Sequence, residues 1–170
     1  MNAIGTRELQ TPCLILRRIR EEDAEPLYEG GCLGDSLEEA QHILGAMMQY
    51  NDDPMNFHWV LEHQGQAVGR IKAWEVNPVD DYAQLGYDIR ADFRSRGLMT
   101  EAVRVVCAYL LTEAGFHRVY CMIRASNDPS VRVCEKAGMI FDGTLREHFK
   151  QPDGSFVNAK VYSMLASEVD

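Results

Sequence analysis

A short basic loop between a strand-like run and a long amphipathic segment is the feature that most constrains the fold of this chain. Residues 83–89 are strand-like, residues 94–101 form the loop, and apolar side chains then recur at helical spacing as far as Ala114. Gly115 follows, where a left-handed cap would end the helix. The first N–H groups of a helix have no partner within it and lie at the positive end of its dipole. This strand–loop–helix unit is therefore typical of a site for a phosphate or another anion.

The loop itself carries two arginines and a glycine. Arg94 and Arg96 would add positive charge, and Gly97 would let the backbone approach a bulky phosphate. Neither the Gly-x-x-x-x-Gly-Lys-Ser/Thr spacing nor a Gly-x-Gly-x-x-Gly motif after a strand is present. The pattern Arg94-x-x-Gly97-x-Met99 resembles the acyl-CoA pyrophosphate loop of the GCN5-related N-acetyltransferases (GNAT). A basic turn that simply leads into a helix is the alternative interpretation.

A second segment strengthens this resemblance. It runs from Asn127 through Ser130 to Gly138, and Pro129 suits the first turn of a short helix. The segment is similar to the second hallmark of the GNAT superfamily, in particular of its ribosomal-protein N-acetyltransferase (RimJ/RimL-type) branch. The opening residues 14–24 and the ending residues 143–165 also resemble that branch. The resemblance implies one N-acetyltransferase domain over residues 1–170, with a core of about 12–168.

The order of elements predicts an α/β fold. Antiparallel strands at the start, followed by alternating strands and helices, are typical of a mixed sheet with helices on both faces. The resemblance implies a single-domain GNAT fold, whose mostly antiparallel sheet of about six to seven strands splays between strands 4 and 5. The expected strands are residues 14–19, 57–62, 67–75, 82–90, 118–124, 139–149 and 156–165. The expected helices are residues 21–29 and 37–50, a long helix that ends at 114, and a short one that ends at 137.

Charge and composition narrow the function classes. The net charge of −9 argues against nucleic acid, which favours a basic face, and is compatible with cationic amine acceptors. Five cysteines without Cys-x-x-Cys spacing favour a reduced, cytoplasmic protein. No run approaches membrane-spanning length, and His58, His117 and His148 show no metal-ligand spacing. Neither a membrane partner nor a metal is therefore expected.

The resemblance implies acetyl-CoA as the cosubstrate. Backbone N–H groups of the loop would hold the pyrophosphate, and backbone groups near Tyr87 and Ile89 would pair with the pantetheine arm and polarise the thioester carbonyl. Asn127 would hydrogen-bond the arm, and Ser130 would be the general acid. Met99 stands where the family prefers Gly or Ala, which is compatible with the loop if its side chain points away. The implied cofactor-binding residues are Tyr87, Ile89, Arg94, Arg96, Gly97, Leu98, Met99, Thr100, Asn127 and Ser130.

Three of these side chains also have a purely structural interpretation. Tyr87 is equally typical of an aromatic core residue, Asn127 of a helix cap, and Ser130 of a hydroxyl in the first turn of a helix.

The general base is where this chain departs from the family. An amine must lose a proton before it attacks a thioester. Many relatives carry Glu where this chain has Gln84, whose amide does not accept a proton at neutral pH. Asp88 lies four residues on along the same strand face, and Glu75 and Glu147 come from neighbouring strands. Asp88 and Glu75 are the candidate bases, with a chain of waters as the alternative.

The leading interpretation is an acetyl-CoA-dependent N-acetyltransferase that acts on a primary amine by direct attack on the thioester. A protein N-terminus or ribosomal-protein-type acceptor competes with a small amine such as spermidine or an aminoglycoside, and the fold does not choose between them. One alternative is a non-catalytic acyl-CoA-binding or sensing module, suggested by Gln84; another is a nucleotide-binding domain that uses the Arg94 loop. A homodimer paired through the C-terminal strands is compatible with the resemblance.

Overall fold

The computed structural model describes residue 2 and residues 4–169. Within them, eight strands and four α-helices follow one another, with short 3₁₀ turns at Glu21–Asp23, Ala91–Phe93 and Ala166–Glu168. In chain order the elements are β1 (Leu9–Gln10), β2 (Ile15–Arg17), α1 (Ala24–Glu29), α2 (Leu37–Met48), β3 (Phe57–His63), β4 (Gln66–Asn77), β5 (Tyr82–Ile89), α3 (Leu98–Thr112), β6 (Arg118–Arg124), α4 (Asp128–Ala137), β7 (Ile140–Lys150) and β8 (Phe156–Leu165).

All these strands form one mixed sheet in the order β1-β2-β3-β4-β5-β6-β8-β7. Each neighbouring pair is antiparallel except β5 and β6, which run parallel. The predicted α/β class and mostly antiparallel sheet are confirmed. The structure adds one strand to those predicted, β1. With two residues, this strand is too short to give a periodic signal in the sequence.

The predicted splay lies between β5 and β6. Their pairing covers only Tyr82–Gln84 against Arg118–Tyr120. Beyond this point β5 continues to Ile89 and β6 to Arg124 without pairing to each other. Two strands that part in this way leave backbone N–H and C=O groups facing an open gap, where an extended ligand can pair with them.

The helices cover both faces of the sheet, as predicted. The larger core packs α3 and α4 against one face, with Phe57, Trp59 and Ile71 among its fully buried side chains. The smaller core packs α1 and α2 against the opposite face, around Leu27 and Val60. Side chains alternate between the faces of a strand, so β3 and β4 contribute to both cores.

The ends of the helices follow local chemistry. Ser36 caps α2 by accepting a hydrogen bond from the backbone N–H of Glu39 at 3.1 Å. Asn127 caps α4, and Gly138 ends α4 in the left-handed conformation, with φ at +96°. These are the caps that the sequence predicts for the short helix.

The start of the first helix differs from the prediction. A 3₁₀ turn occupies Glu21–Asp23, and α1 begins only at Ala24. The reason is a buried ion pair, in which the Arg17 guanidinium donates to both carboxylate oxygens of Asp23, at 2.7 and 2.9 Å. The Asp23 carboxylate also accepts from the backbone N–H of Arg20 at 2.8 Å. Asp23 is therefore held inside the protein by Arg17 rather than exposed at a helix terminus.

Candidate functional site

A cavity of about 770 Å³ lies at the open end of the splay. One wall is the end of β5, the other is the start of α4, and the loop before α3 closes the end between them. The structure brings all ten sequence-predicted cofactor-binding residues to this cavity, namely Tyr87, Ile89, Arg94, Arg96, Gly97, Leu98, Met99, Thr100, Asn127 and Ser130.

The loop before α3 has a backbone shape suited to an anion. Ser95 and Gly97 both have positive φ, at +59° and +81°. Such turns gather successive N–H groups around a concave surface that attracts negative charge. No side chain caps the start of α3, and the N–H of Glu101 makes the first bond of the helix, to the Gly97 carbonyl at 3.0 Å. The N–H groups ahead of it are therefore left for a ligand.

Gly97 is needed for two reasons rather than one. Its positive φ strains any residue with a side chain, which the sequence did not show. A Cβ at this position would meet nothing within 4 Å, so the space beside the backbone is open to a ligand.

The two arginines of the loop are partly anchored by the protein. Arg94 Nε donates to the Ile89 carbonyl at 3.4 Å, and Arg96 Nη2 donates to the Asp92 carbonyl at 2.7 Å. The Arg96 guanidinium also lies over the Phe93 ring, 4.9 Å from its centroid. Each guanidinium carries five N–H donors, so these contacts orient the groups and leave donors over.

The Met99 side chain points away from the cavity, which is the condition under which it is compatible with the loop. Its side chain is 5% exposed and that of Leu98 is 4% exposed, because both pack into the larger core. Only their backbone groups therefore face the cavity side of the loop. The Met99 side chain, which stands where the family prefers Gly or Ala, does not fill the site.

The two walls of the gap are tied together at Tyr87. Its hydroxyl donates to the Ser130 carbonyl at 3.2 Å and lies 3.4 Å from Cys134 Sγ. Burial, the largest cause, raises the pKa of the Tyr87 hydroxyl, so the group is a neutral donor at pH 7. Asn127 Oδ1 accepts from the Ser130 N–H at 3.3 Å and so makes the helix cap. This cap uses only the oxygen of the Asn127 amide.

The candidate bases lie on neighbouring strands, Asp88 near the end of β5 and Glu75 in the bulge of β4. Asp88 lines the cavity, is exposed, and pairs with Arg70 Nη2 at 3.3 Å. Glu75 lies beside the point where β5 and β6 part, and its Oε2 accepts from the Tyr120 hydroxyl at 3.1 Å. Glu147 is exposed on β7, where its backbone N–H donates to Asn158 Oδ1.

Gln84 is a buried side chain next to Glu75 that makes several hydrogen bonds. Its hydrogen-bonding partners assign the amide orientation: the nitrogen donates to Glu75 Oε2 at 3.1 Å and to the Tyr120 hydroxyl at 3.2 Å, and the oxygen accepts from Trp74 Nε1 at 3.2 Å. A β-bulge sets Glu75 and Val76 together against Ala83, and Glu75 has φ at +46°. The bulge therefore turns the Glu75 carboxylate toward Gln84 and Tyr120.

Sequence reasoning missed a basic edge of the cavity. Arg104 of α3 and Arg132 and Lys136 of α4 line it, and Arg104 Nη2 donates to the Lys136 carbonyl at 2.7 Å. Arg132 and Lys136 are four residues apart, which places them on one face of α4. That spacing was the available signal, but their approach to α3 depends on the packing of the two helices.

Between residues 4 and 169, together with residue 2, no cluster of three or more His, Cys, Asp or Glu side chains is arranged to hold a metal ion. Over the same residues, no helix is long and apolar enough to cross a membrane.

Comparison with known proteins agrees with this geometry. An acetyltransferase (GNAT) domain model matches residues 14–140. The chain is 24% identical over 172 residues to the uncharacterized N-acetyltransferase YoaA of Bacillus subtilis (strain 168), covering 92% of this chain and 96% of that protein. It is 24% identical over 97 residues to the spermidine N(1)-acetyltransferase of Escherichia coli (strain K12), covering 57% of this chain and 52% of that protein.

The fold is also similar to solved structures. The ribosomal L7/L12 alpha-N-protein acetyltransferase RimL, in complex with coenzyme A, superposes with a TM-score of 0.82 at 15% identity, covering 94% of this chain and 98% of that one. This likeness shows that the two chains share a fold. With its own domain matched over residues 14–140, the chain belongs to the GNAT family of acetyltransferases.

Proposed function

We propose that this protein transfers the acetyl group of acetyl-CoA to a primary amine. The observation that carries the proposal is the cavity at the splay, where the uncapped start of α3 and the start of α4 face one another. Supporting evidence comes from the family membership and from RimL, a structure of the same fold that contains coenzyme A.

The residues present fit this cosubstrate. The open N–H groups over Leu98–Thr100 and the guanidinium groups of Arg94 and Arg96 would hold the pyrophosphate. Free backbone groups of β5 beyond Gln84 would pair with the pantetheine arm as an added strand. The amide nitrogen of Asn127 would donate to the arm while its oxygen caps α4.

The position of Glu75 makes it the proposed general base. Its carboxylate lies at the closed end of the splay, where the thioester would meet the acceptor, whereas Asp88 is paired with Arg70. Glu75 would take the proton that the amine loses, and Gln84 and Tyr120 would hold the carboxylate in place. The Ser130 hydroxyl would supply a proton to the thiolate as the C–S bond breaks and the amide C–N bond forms.

The first test is thermal unfolding with and without acetyl-CoA. Saturating ligand at a hundredfold excess over its dissociation constant should stabilise wild type by about 2.7 kcal/mol. Asn127→Ala should lose part of this gain and also about 1 kcal/mol of its own stability, because the helix cap is removed. Asn127→Ser keeps a capping oxygen without the amide nitrogen, so it should retain the stability of the ligand-free protein and lose the same part of the ligand stabilisation.

Two results would count against the proposal. Millimolar acetyl-CoA that leaves the unfolding temperature of wild type unchanged would exclude the cavity as a CoA site. Full ligand stabilisation of Asn127→Ser would limit Asn127 to its capping role.

A second candidate function rests on Gln84. An amide stands where many family members carry a carboxylate, and it is fully engaged by Trp74, Glu75 and Tyr120. A non-catalytic CoA-binding or sensing module would bind acetyl-CoA without turnover on any amine. Release of free CoA thiol with a panel of amines separates this candidate from the enzyme.

We also propose that the protein forms a homodimer through its C-terminal strands. Strand β7 lies at the sheet edge within the described residues, and four large apolar side chains of β7 and β8 are 42–55% exposed, namely Ile140, Phe141, Leu145 and Phe156. Apolar side chains grouped in this way are typical of an interaction surface.

The free thiols of Cys13, Cys32, Cys107, Cys121 and Cys134 fit a reducing compartment such as the cytoplasm.

A further inference from the structure

We infer that the acceptor of the proposed reaction carries a carboxylate or a similar anionic group near its amine, and that Lys72 binds this group above a hollow at Gly86. The inference rests on the proposed function, because it concerns the second substrate of the same reaction. It is carried by the side chains on the face of the sheet opposite α3 and α4.

Strand register places three positively charged or imidazole groups together on this face. His58 of β3 stands opposite Lys72 of β4, which in turn stands opposite Gly86 of β5. The next row along the same face pairs Arg70 with Asp88. Rows on one face of a sheet are about 7 Å apart along the strands, so the side chains of the two rows are neighbours.

The hollow lies at Gly86 because this position has no side chain. A Cβ placed there would contact only the Trp74 ring, at 3.9 and 4.0 Å. Trp74 is 46% exposed, and its indole N–H is held by Gln84 Oε1 at 3.2 Å. Lys72 Nζ lies 4.7 Å from the centroid of the Trp74 ring. The hollow therefore has an aromatic wall with an ammonium group beside it.

The Lys72 ammonium lacks an anionic partner. Among the described residues, no carboxylate lies within 4 Å of it and no hydrogen bond holds it. Asp88, whose charge also acts on Lys72, is paired with Arg70 at 3.3 Å. Burial and then the charge of Arg70 lower the pKa of the Lys72 ammonium. A half-buried cation without a partner is costly, and an anionic ligand would remove that cost.

Two further polar atoms nearby are buried without a partner. Arg70 Nε and His58 Nε2 make no hydrogen bond within the described part of the chain. Burial, the largest cause, lowers the pKa of His58 to about 3, so its ring is neutral and adds no charge to this face. Arg70 is paired with Asp88, which leaves Lys72 as the cation of these two rows without an ion pair within the described residues.

The hollow adjoins the place where the reaction would occur. Pairing between β5 and β6 ends at Gln84, and Gly86 is the second residue beyond it on β5. An amine above Gly86 would lie next to the gap that holds the pantetheine arm. Its anionic group would then contact Lys72, and its carbon skeleton would pack on Trp74.

This arrangement selects between the acceptor classes. An amino acid or a peptide N-terminus with an acidic residue beside it supplies both an amine and a carboxylate. A polyamine such as spermidine would place a second ammonium group beside Lys72 and Arg70, where like charges repel. The acceptor is therefore an anionic amine and not a polyamine.

The test is calorimetric binding to the protein saturated with free CoA, which does not react. The ligands are two peptide amides, Ser-Asp-Gly and Ser-Asn-Gly, together with free aspartate and spermidine. The acidic peptide should bind wild type at least about tenfold more tightly than the neutral peptide, as a charge-assisted hydrogen bond provides. Lys72→Met should abolish this preference and Lys72→Arg should restore it. Lys150→Met removes the same charge from exposed β7 and should leave the preference unchanged.

Further arms define the site and the source of the ligand. Gly86→Leu fills the hollow without backbone strain, so it should weaken binding of the acidic peptide. Tighter binding of free aspartate than of the acidic peptide would identify a small amino acid as the acceptor, and the reverse would identify a peptide N-terminus. Either result supports an anionic acceptor.

The inference and the proposed function fail in different ways. Equal binding of the two peptides by wild type, or an unchanged preference in Lys72→Met, would overturn the anionic acceptor. Spermidine binding more tightly than the anionic amines would do the same. Absence of CoA binding would overturn the proposed function alone, and the peptide comparison would then be made on the protein without CoA, with the same criteria for Lys72.

Discussion

Gln84 and Glu75 together show how single residues are arranged at the splay. The sequence points to Gln84 as a missing base, whereas the structure places a carboxylate 3.1 Å from its amide nitrogen. The Tyr120 hydroxyl donates to the same carboxylate, and burial, followed by the hydrogen bond to Glu75, raises the pKa of Tyr120 to about 12. Tyr120 is therefore a neutral donor at pH 7, and two donors hold Glu75 at the closed end of the gap.

Glu75→Gln should lower kcat/KM about a hundredfold or more, because a positioned general base contributes about that much. The acetyl-CoA-induced thermal shift should not change, since Glu75 lies outside the cavity. The loss should shrink at pH values above the pKa of the amine, where the acceptor is already deprotonated. Steady-state kinetics across pH 6–10 would check this, with Asp88→Asn as the matched control. A larger loss in Asp88→Asn than in Glu75→Gln would reverse the assignment of the base.

At the scale of elements, strand β3 makes the stability of the folded protein depend on pH through His58. His58 is 4% exposed within this strand, and its imidazole has a pKa of about 3 in the folded protein against 6.5 for the free side chain. The unfolded chain therefore binds a proton below pH 6.5 that the folded protein does not bind. Stability from this group is complete above pH 6.5 and is lost as the pH falls toward 3.

Acidification from pH 6.5 to 5 should cost wild type about 2 kcal/mol through His58, since one proton contributes about 1.4 kcal/mol per pH unit. His58→Gln removes the titrating group, so its free energy of unfolding should fall less over the same interval. Urea unfolding at the two pH values measures the difference between the proteins. Equal losses of unfolding free energy in wild type and His58→Gln would show that His58 does not cause this pH dependence.

At the scale of the whole molecule, the C-terminal hairpin of β7 and β8 leaves many side chains exposed in the single chain. Strand β7 is 11 residues long, and most of its side chains are exposed. A long strand at the edge of a sheet, with exposed apolar side chains, invites pairing with another chain. A second copy of this chain would cover both its open edge and its apolar side chains.

Phe141→Glu should convert a dimer to a monomer, because it places a charge in the apolar surface of β7. Light scattering coupled to size-exclusion chromatography measures the mass directly against the 19.3 kDa chain. Val79→Glu is the matched control, since Val79 is 87% exposed in the turn between β4 and β5. A wild-type protein that elutes at the mass of one chain at all concentrations would contradict the proposed dimer.

Local patterns in the sequence were enough to predict several parts of the molecule. The loop before α3, the caps of α4 and the alternation of strands and helices all depend on residues close together in the chain. Helical and strand periodicities, caps and turns act within single elements, so they can be recognised without knowledge of the fold. The splay was predicted through the family resemblance, which spans nearly all of these elements.

Only the tertiary structure decided which side chains meet across elements. The bulge in β4 turns Glu75 toward Gln84, and the packing of α3 on α4 brings Arg104 to the basic edge of the cavity. Cross-strand register places Lys72 beside the hollow at Gly86. A shift of one residue in strand register would move Glu75 or Lys72 to the opposite face of its strand. The sequence by itself thus determined the elements and the loop before α3, whereas register and packing decided the surroundings of Glu75 and Lys72.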